Sequence, residues 1–158
     1  MKKALVTYFS ATGTTAALAK RLANSIDATL YEIQPVEKYT SADLDWTDKQ
    51  SRTTKEKDDK SFRPPIKKDG FEVAPYEVIF VAFPIWWYVA PTIINTFLEQ
   101  YDLTGKTIVP VATSGGSGLG NTVAELRPSA KGARIEAGRR FAARAGENEL
   151  QTWAKQFL

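Results

Sequence analysis

The run Ala4-Leu5-Val6-Thr7-Tyr8-Phe9, followed directly by Ser10-Ala11-Thr12-Gly13-Thr14-Thr15, decides how the rest of this chain is read. Its first half is apolar and β-forming. Its second half places the hydroxyls of Ser10, Thr12, Thr14 and Thr15 and the single Gly13 ahead of a helical pattern. That pattern spans Thr14 to Ile26 and puts Leu18, Ala19, Leu22, Ala23 and Ile26 on one face. A strand, a hydroxyl-rich turn and a helix start therefore follow one another. A helix N-terminus presents backbone N–H groups and a partial positive charge, so the turn fits a phosphate group. The same residues also fit an ordinary helix cap, where Ser and Thr are common.

The turn is neither of the common nucleotide loops. A Walker A loop needs two spaced glycines and a Lys before its last Ser or Thr. Here Gly13 stands alone, and no Lys occurs between Lys3 and Lys20. The dinucleotide fingerprint needs three glycines. Neutral donors and a helix dipole, with no cation, suit a resident phosphate monoester better than a nucleotide that turns over.

Composition narrows the chemistry. The chain has 158 residues, which fits one domain over 1–158, and it contains no Cys and no His. Thiolate catalysis, Cys metal sites and the commonest general base are excluded. Redox or acid–base chemistry must come from a cofactor or from perturbed Asp, Glu, Lys or Tyr groups. The net charge is +3. A basic group at Lys131, Arg134, Arg139, Arg140 and Arg144 fits a solvated surface, a nucleotide phosphate or an acidic partner. It lacks the concentrated stripe and motif of a nucleic-acid module, so no nucleic acid is expected. The N-terminal apolar run stops by Thr7 and lacks a cleavage-like site, and no stretch approaches membrane-spanning length. The expected compartment is the cytoplasm.

Further strands are read at Thr29 to Ile33, Val78 to Phe83, Thr107 to Ala112 and Ala133 to Ile135. Val78-Ile79-Phe80-Val81-Ala82-Phe83 is continuously apolar, as suits a parallel strand buried on both faces. Pro110 inside the fourth strand is awkward, because proline removes a ladder bond. Helices are expected from Pro91 at the first helical position, ahead of Pro128, and at the C-terminus, where Leu150, Trp153, Ala154 and Phe157 form a stripe. From Gln34 to Ala74 the chain is polar and hard to read. Ser41 is expected to cap a helix starting near Ala42 that carries Leu44 and Trp46, and Arg63-Pro64-Pro65 breaks any helix. Strands alternating with helices give an α/β fold on a parallel sheet. Such sheets bind ligands at the carboxyl ends of their strands.

Three loops at that edge have unusual chemistry. After the third strand come Pro84-Ile85-Trp86-Trp87-Tyr88-Val89-Ala90-Pro91. Adjacent Trp residues in an extended loop cannot easily both face the core, so one is expected to line a cleft and stack on a flat ligand. After the fourth strand come Thr113-Ser114-Gly115-Gly116-Ser117-Gly118, whose glycines allow close backbone approach. A phosphate cradle, an aromatic platform and a bare backbone together describe a pocket for a heteroaromatic ring on a phosphorylated polyol.

On these motifs the sequence resembles the flavodoxin-like FMN-binding proteins. Ser10-x-Thr12-Gly13-x-Thr15 is similar to their phosphate loop. The block from Phe83-Pro-Ile-Trp-Trp through Thr96-Phe-Leu-Glu-Gln-Tyr-Asp to Thr113-Ser-Gly-Gly-Ser-Gly is similar to a short-chain bacterial subgroup. The resemblance implies a three-layer α/β/α sandwich, a five-stranded parallel sheet in the order 2-1-3-4-5, and FMN as cofactor. The phosphate would be held at Ser10, Ala11, Thr12, Gly13, Thr14 and Thr15. Pro84, Ile85, Trp86 and Trp87 would run along the ribityl chain and ring. Thr113, Ser114, Gly115, Gly116 and Gly118 would meet the pyrimidine edge.

The chain departs from the electron carriers of that family. It is basic where they are acidic, and the loop after its fourth strand has no aromatic residue, which leaves one flavin face open. The stretch Ile85-Trp86-Trp87-Tyr88 has no Gly for a peptide flip beside the ring, so weak stabilisation of one-electron-reduced flavin is expected. Three functions follow. The first is an electron carrier between redox partner proteins. The second is an FMN-dependent oxidoreductase that passes hydride from NAD(P)H to a quinone-type acceptor, with Tyr88 or Arg139 and Arg140 placing the nucleotide. The third is a partner-binding module with little turnover. A homodimer is left open, because it would shield the Trp-rich loop.

Overall fold

A computed structural model describes residues 2–45, 47–86, 89–114 and 118–158. Its sheet runs in the order β2-β1-β3-β4-β5. The strands are β1 (Ala4–Tyr8), β2 (Thr29–Glu32), β3 (Val78–Pro84), β4 (Thr107–Thr113) and β5 (Arg134–Ile135). Every pairing between neighbours is parallel, as the resemblance implies. The apolar run of β3 supplies both cores by simple alternation. Val78, Phe80 and Ala82 pack into one cluster and Ile79, Val81 and Phe83 into the other. All six are fully buried, and each large member contributes about 1.5–3 kcal/mol through burial.

Helices α1 (Thr14–Ile26) and α5 (Glu147–Ala154) cover one face of the sheet. They lie side by side, with Arg21 Nε donating to Ala145 O at 3.0 Å and Gln151 Nε2 to Ser25 O at 2.7 Å. The other face is covered by α3 (Ile93–Leu98), α4 (Thr122–Leu126) and irregular chain that includes α2 (Arg52–Asp58). Among the described residues, no helix is long and apolar enough to cross a membrane.

A sixth short strand, β6 (Arg139–Phe141), is absent from the sequence reading and explains Pro110. β5 pairs with Thr107 and Ile108, and β6 pairs with Val111 to Thr113. Between those pairings, residues 136–138 face Val109 and Pro110, so the outer chain bulges by one residue. The carbonyls of Lys106 and Ile108 accept from Arg134 N–H and Glu136 N–H, each at 2.9 Å. Pro110 shares their direction and so aims its missing N–H at the bulge, where no ladder bond is required. Gly138 sits there at φ 73°, and a Cβ on it would lie 2.3 Å from Pro110 O.

Two helix expectations are corrected. Pro91 is not the first helical residue: Thr92 caps α3, which starts at Ile93. Val89 is held by its bridge to Trp86, and the chain turns into α3 through the 3.0 Å bond from Ile94 N–H to Pro91 O. The helix expected from Ala42 is a single turn. Thr40 N–H donates to Asp43 Oδ2 at 2.9 Å, Asp43 N–H to Thr40 Oγ1 at 3.2 Å, and Leu44 N–H to Thr40 O at 3.1 Å. Asp45 Oδ1 then accepts from Thr47 N–H at 3.0 Å, a local bond that competes with helix continuation. The helix of this region is α2, capped by Ser51. Trp46 lies outside the described residues.

Candidate functional site at the carboxyl edge of the sheet

Because the strands are parallel, the loops after β1, β3 and β4 emerge at one edge, on either side of the point where strand order reverses. The first of them, residues 9–15, has an unusual helix start. Gly13 is the N-cap at φ 93°, and no side chain among the described residues caps α1. A Cβ added there would meet nothing within 4 Å, so the glycine is demanded by its left-handed backbone and not by crowding. The Gly13 N–H donates to Ser10 Oγ at 3.0 Å, folding the loop back on itself. Thr12 Oγ1 lies 3.4 Å from Thr14 Oγ1, and Thr12, Gly13 and Thr14 are all exposed. The ordinary-cap reading is therefore not what this turn does. Its hydroxyls stand beside an uncapped N-terminus.

Thr15 turns inward instead. It is 2 % exposed, and its hydroxyl lies 2.7 Å from the Thr113 hydroxyl at the end of β4. That bond ties the first loop to the third. Two hydroxyls carry two protons and the bond uses one, so the pair keeps a proton to donate.

In the second loop, Pro84 pairs with Thr113, and Trp86 forms a bridge with Val89 through bonds of 3.0 and 3.3 Å. Trp86 is half-buried and does not stand free at the edge. Its ring meets Phe9 at 5.7 Å and 89°, and Tyr39 at 5.3 Å and 65°. Phe9 and Tyr39 also meet edge to face at 5.4 Å. Trp87, Tyr88, Gly115, Gly116 and Ser117 lie outside the described residues. In the third loop Ser114 is half-buried and its carbonyl accepts from an Arg140 guanidinium nitrogen at 2.9 Å, while Gly118 is exposed. Ala11 and Ile85 are half-buried against the core.

The sequence reading missed Tyr39, Arg52 and Glu56, which stand behind Trp86. Tyr39 O–H donates to Glu56 Oε1 at 2.5 Å, and the Arg52 guanidinium lies 3.7 Å from the centre of the Tyr39 ring. Arg52 Nε bonds Glu56 Oε2 at 2.8 Å. Burial, and then the Glu56 hydrogen bond, push the Tyr39 hydroxyl far above the usual phenol range, so it remains a donor. The Arg52–Glu56 spacing of four residues was the available signal in the sequence. The basic group is dispersed. Arg134 pairs with Glu136 at 2.7 Å and Arg139 with Glu149 at 3.0 Å. Arg140, one residue along β6 from Arg139, leaves the opposite face and reaches Ser114.

The three loops, residues 9–15, 84–91 and 113–120, include no Asp, Glu, Lys or Arg, and Arg140 reaches the third from β6. No carboxylate within these loops opposes an anion. The donor set, with exposed hydroxyls, an uncapped helix start and a left-handed glycine, fits a phosphate monoester. The flavodoxin family profile matches residues 3–157. The chain belongs to the flavodoxin family. A candidate flavoprotein of that fold from Bacteroides eggerthii is 44% identical, with 99% of this chain and 98% of that one covered and a TM-score of 0.88. A second, from Bacteroides uniformis, is 46% identical over 98% of each chain, also with a TM-score of 0.88. A flavoprotein from Lactobacillus acidophilus solved in complex with FMN is 23% identical, covers 98% of this chain and 99% of that one, and shares the fold with a TM-score of 0.74. No curated protein matches.

Proposed function

We propose that this flavodoxin-family chain binds FMN at the three-loop edge and carries electrons between redox partner proteins. The observation that supports it most is the uncapped start of α1, with exposed hydroxyls around it and the Thr15–Thr113 bond joining it to the end of β4. Bound FMN supplies the redox chemistry that a chain without Cys or His lacks in its own side chains. Ser10, Thr12, Thr14 and the first-turn N–H groups receive the phosphate, and the Thr15–Thr113 pair beside them keeps a proton to donate. Pro84 to Trp87 run along the ribityl chain and the ring. Ser114 and the glycines after it approach the pyrimidine edge. Trp86 is held edge to face by Phe9 and Tyr39.

A second reading, an FMN-dependent NAD(P)H oxidoreductase, is favoured by Arg140. Its guanidinium, fixed on Ser114 O, brings a cation to the loop that takes the pyrimidine edge. A cation there offsets the negative charge of reduced flavin or receives a nucleotide phosphate. One experiment separates the two. The purified protein is recorded between 300 and 600 nm and mixed with NADPH and with NADH in a stopped-flow instrument, at roughly the timescale of enzyme turnover. A carrier is yellow and keeps its colour with both nucleotides. A reductase bleaches within a few turnovers, and a colourless protein that takes up no FMN overturns both readings.

A further inference from the structure

The segment that the sequence left unread packs directly on the flavin edge. Tyr39 meets both Phe9, which leads into the first loop, and Trp86, in the second. Its outer side is gripped by Glu56 and Arg52. Arg52 also donates to Glu37 O at 2.8 Å, which anchors the chain just ahead of Tyr39. Glu56 is 6 % exposed, an unusual place for a carboxylate near the surface. A buried ion pair is a poor source of stability compared with apolar residues of the same volume. What it supplies in this setting is one defined geometry.

Packing around Trp86 leaves a gap on one side. A cavity of about 30 Å³ lies against it, lined by Thr53, Glu56, Val89 and Thr92 among others. The Thr92 hydroxyl beside it is buried and has no hydrogen-bond partner among the described residues. A void of that size takes about one water molecule and leaves this side of the ring short of contacts. Trp86 therefore leans on its edge-to-face contacts with Phe9 and Tyr39, and Tyr39 is held by Glu56 and Arg52.

We propose that Tyr39, Arg52 and Glu56 form a clasp of positioning residues that set the orientation of Trp86 and, through it, the loop that receives the flavin. The inference rests on the reading of this edge as an FMN site. It assigns a role in cofactor affinity and geometry to a region outside the three loops.

The test uses Tyr39→Phe, which keeps the ring and removes the bond to Glu56, and Glu56→Gln, which keeps the shape and removes the charge. FMN affinity is measured by quenching of flavin fluorescence. Visible circular dichroism is recorded on FMN-saturated protein, near-ultraviolet circular dichroism and the melting temperature on apoprotein. The clasp requires each variant to bind FMN more weakly, by about tenfold, and to shift the visible bands of saturated protein. Variants that melt earlier but bind with unchanged affinity and unchanged visible bands overturn it, because the cluster is then only scaffold. Wild type that takes up no FMN defeats the FMN reading instead. The aromatic bands of the apoprotein then decide the clasp alone in Glu56→Gln, which keeps every aromatic residue: they change if the clasp orients Trp86, and stay fixed if it does not. Should Tyr39→Phe fail to fold, Glu56→Gln carries the same readings.

Discussion

On one face of the sheet, Leu18 and Leu22 of α1 and Leu150 of α5 meet Val6, Phe80 and Val111, and these residues are fully buried. On the other face, the chain between β2 and β3 covers the core with turns, a stacked Tyr31–Phe71 pair at 3.9 Å, and a helix whose buried face is polar. Ser51, Thr53, Thr54 and Glu56 are buried at 5, 3, 8 and 6 % exposure. Thr53 Oγ1 donates to Asp43 O at 2.8 Å and Thr54 Oγ1 to Asp48 O at 2.9 Å. The first face is held by apolar area, which is tolerant of small shifts. The second also has an apolar core, around Phe97 and Ile93, and adds over it a layer tied by hydrogen bonds and by ion pairs such as Arg52–Glu56, which fix position. Trp86, from the flavin loops, leans on the second.

That contrast can be broken from either side. Leu22→Ala on α1 should cost about 2–5 kcal/mol, read by urea denaturation, and should act on the whole fold. Arg52→Ala strands the Glu56 carboxylate and should cost about 3 kcal/mol. Its effect should be regional, with hydrogen exchange of residues 40–58 accelerating before that of β1 and β3. Uniform acceleration across the sheet would show that the two faces are one cooperative unit. Gly13→Ala should cost about 1–2 kcal/mol, because φ 93° is strained for any residue with a Cβ. It should weaken FMN binding beyond that stability loss, checked by titration of folded protein at low temperature.

The smallest effect is one of pH. The Arg63 hydrogen bond first, and Ser129 next, hold the Glu99 carboxyl below its ordinary value of 4.5. A depressed value means that the bond adds stability above pH 4.5 and loses it as the pH falls through the folded value. Glu99→Gln should flatten that acid limb of the stability curve slightly, since the partly exposed pair is screened by solvent. Thermal melts between neutral and acid pH would show it.

How legible the chain is follows the same division. β1 and β3 are short apolar runs, α1 and α5 carry period-3.6 apolar stripes, and the strand order agrees with the resemblance. The phosphate turn was legible because a strand, four hydroxyls and a helix start stand in immediate succession. Pro110 resisted because its reason lies across space, in the bulge between β5 and β6. α2 resisted because its inward face is Thr53, Thr54 and Glu56, which no hydrophobic period marks. The Thr40–Asp43 turn imitates a helix start and draws attention away from Ser51. Tyr39 and Trp86 are far apart in sequence, and nothing local to either shows that their rings touch.

The most direct measurement is a titration of apoprotein with FMN and, separately, with riboflavin, which lacks only the phosphate. Flavin fluorescence quenching reads both. A phosphate seat at Ser10 to Thr15 requires FMN to bind and riboflavin to bind at least about a hundredfold more weakly. Equal affinity for the two, or uptake of neither, would mean that the turn opening this chain holds no phosphate.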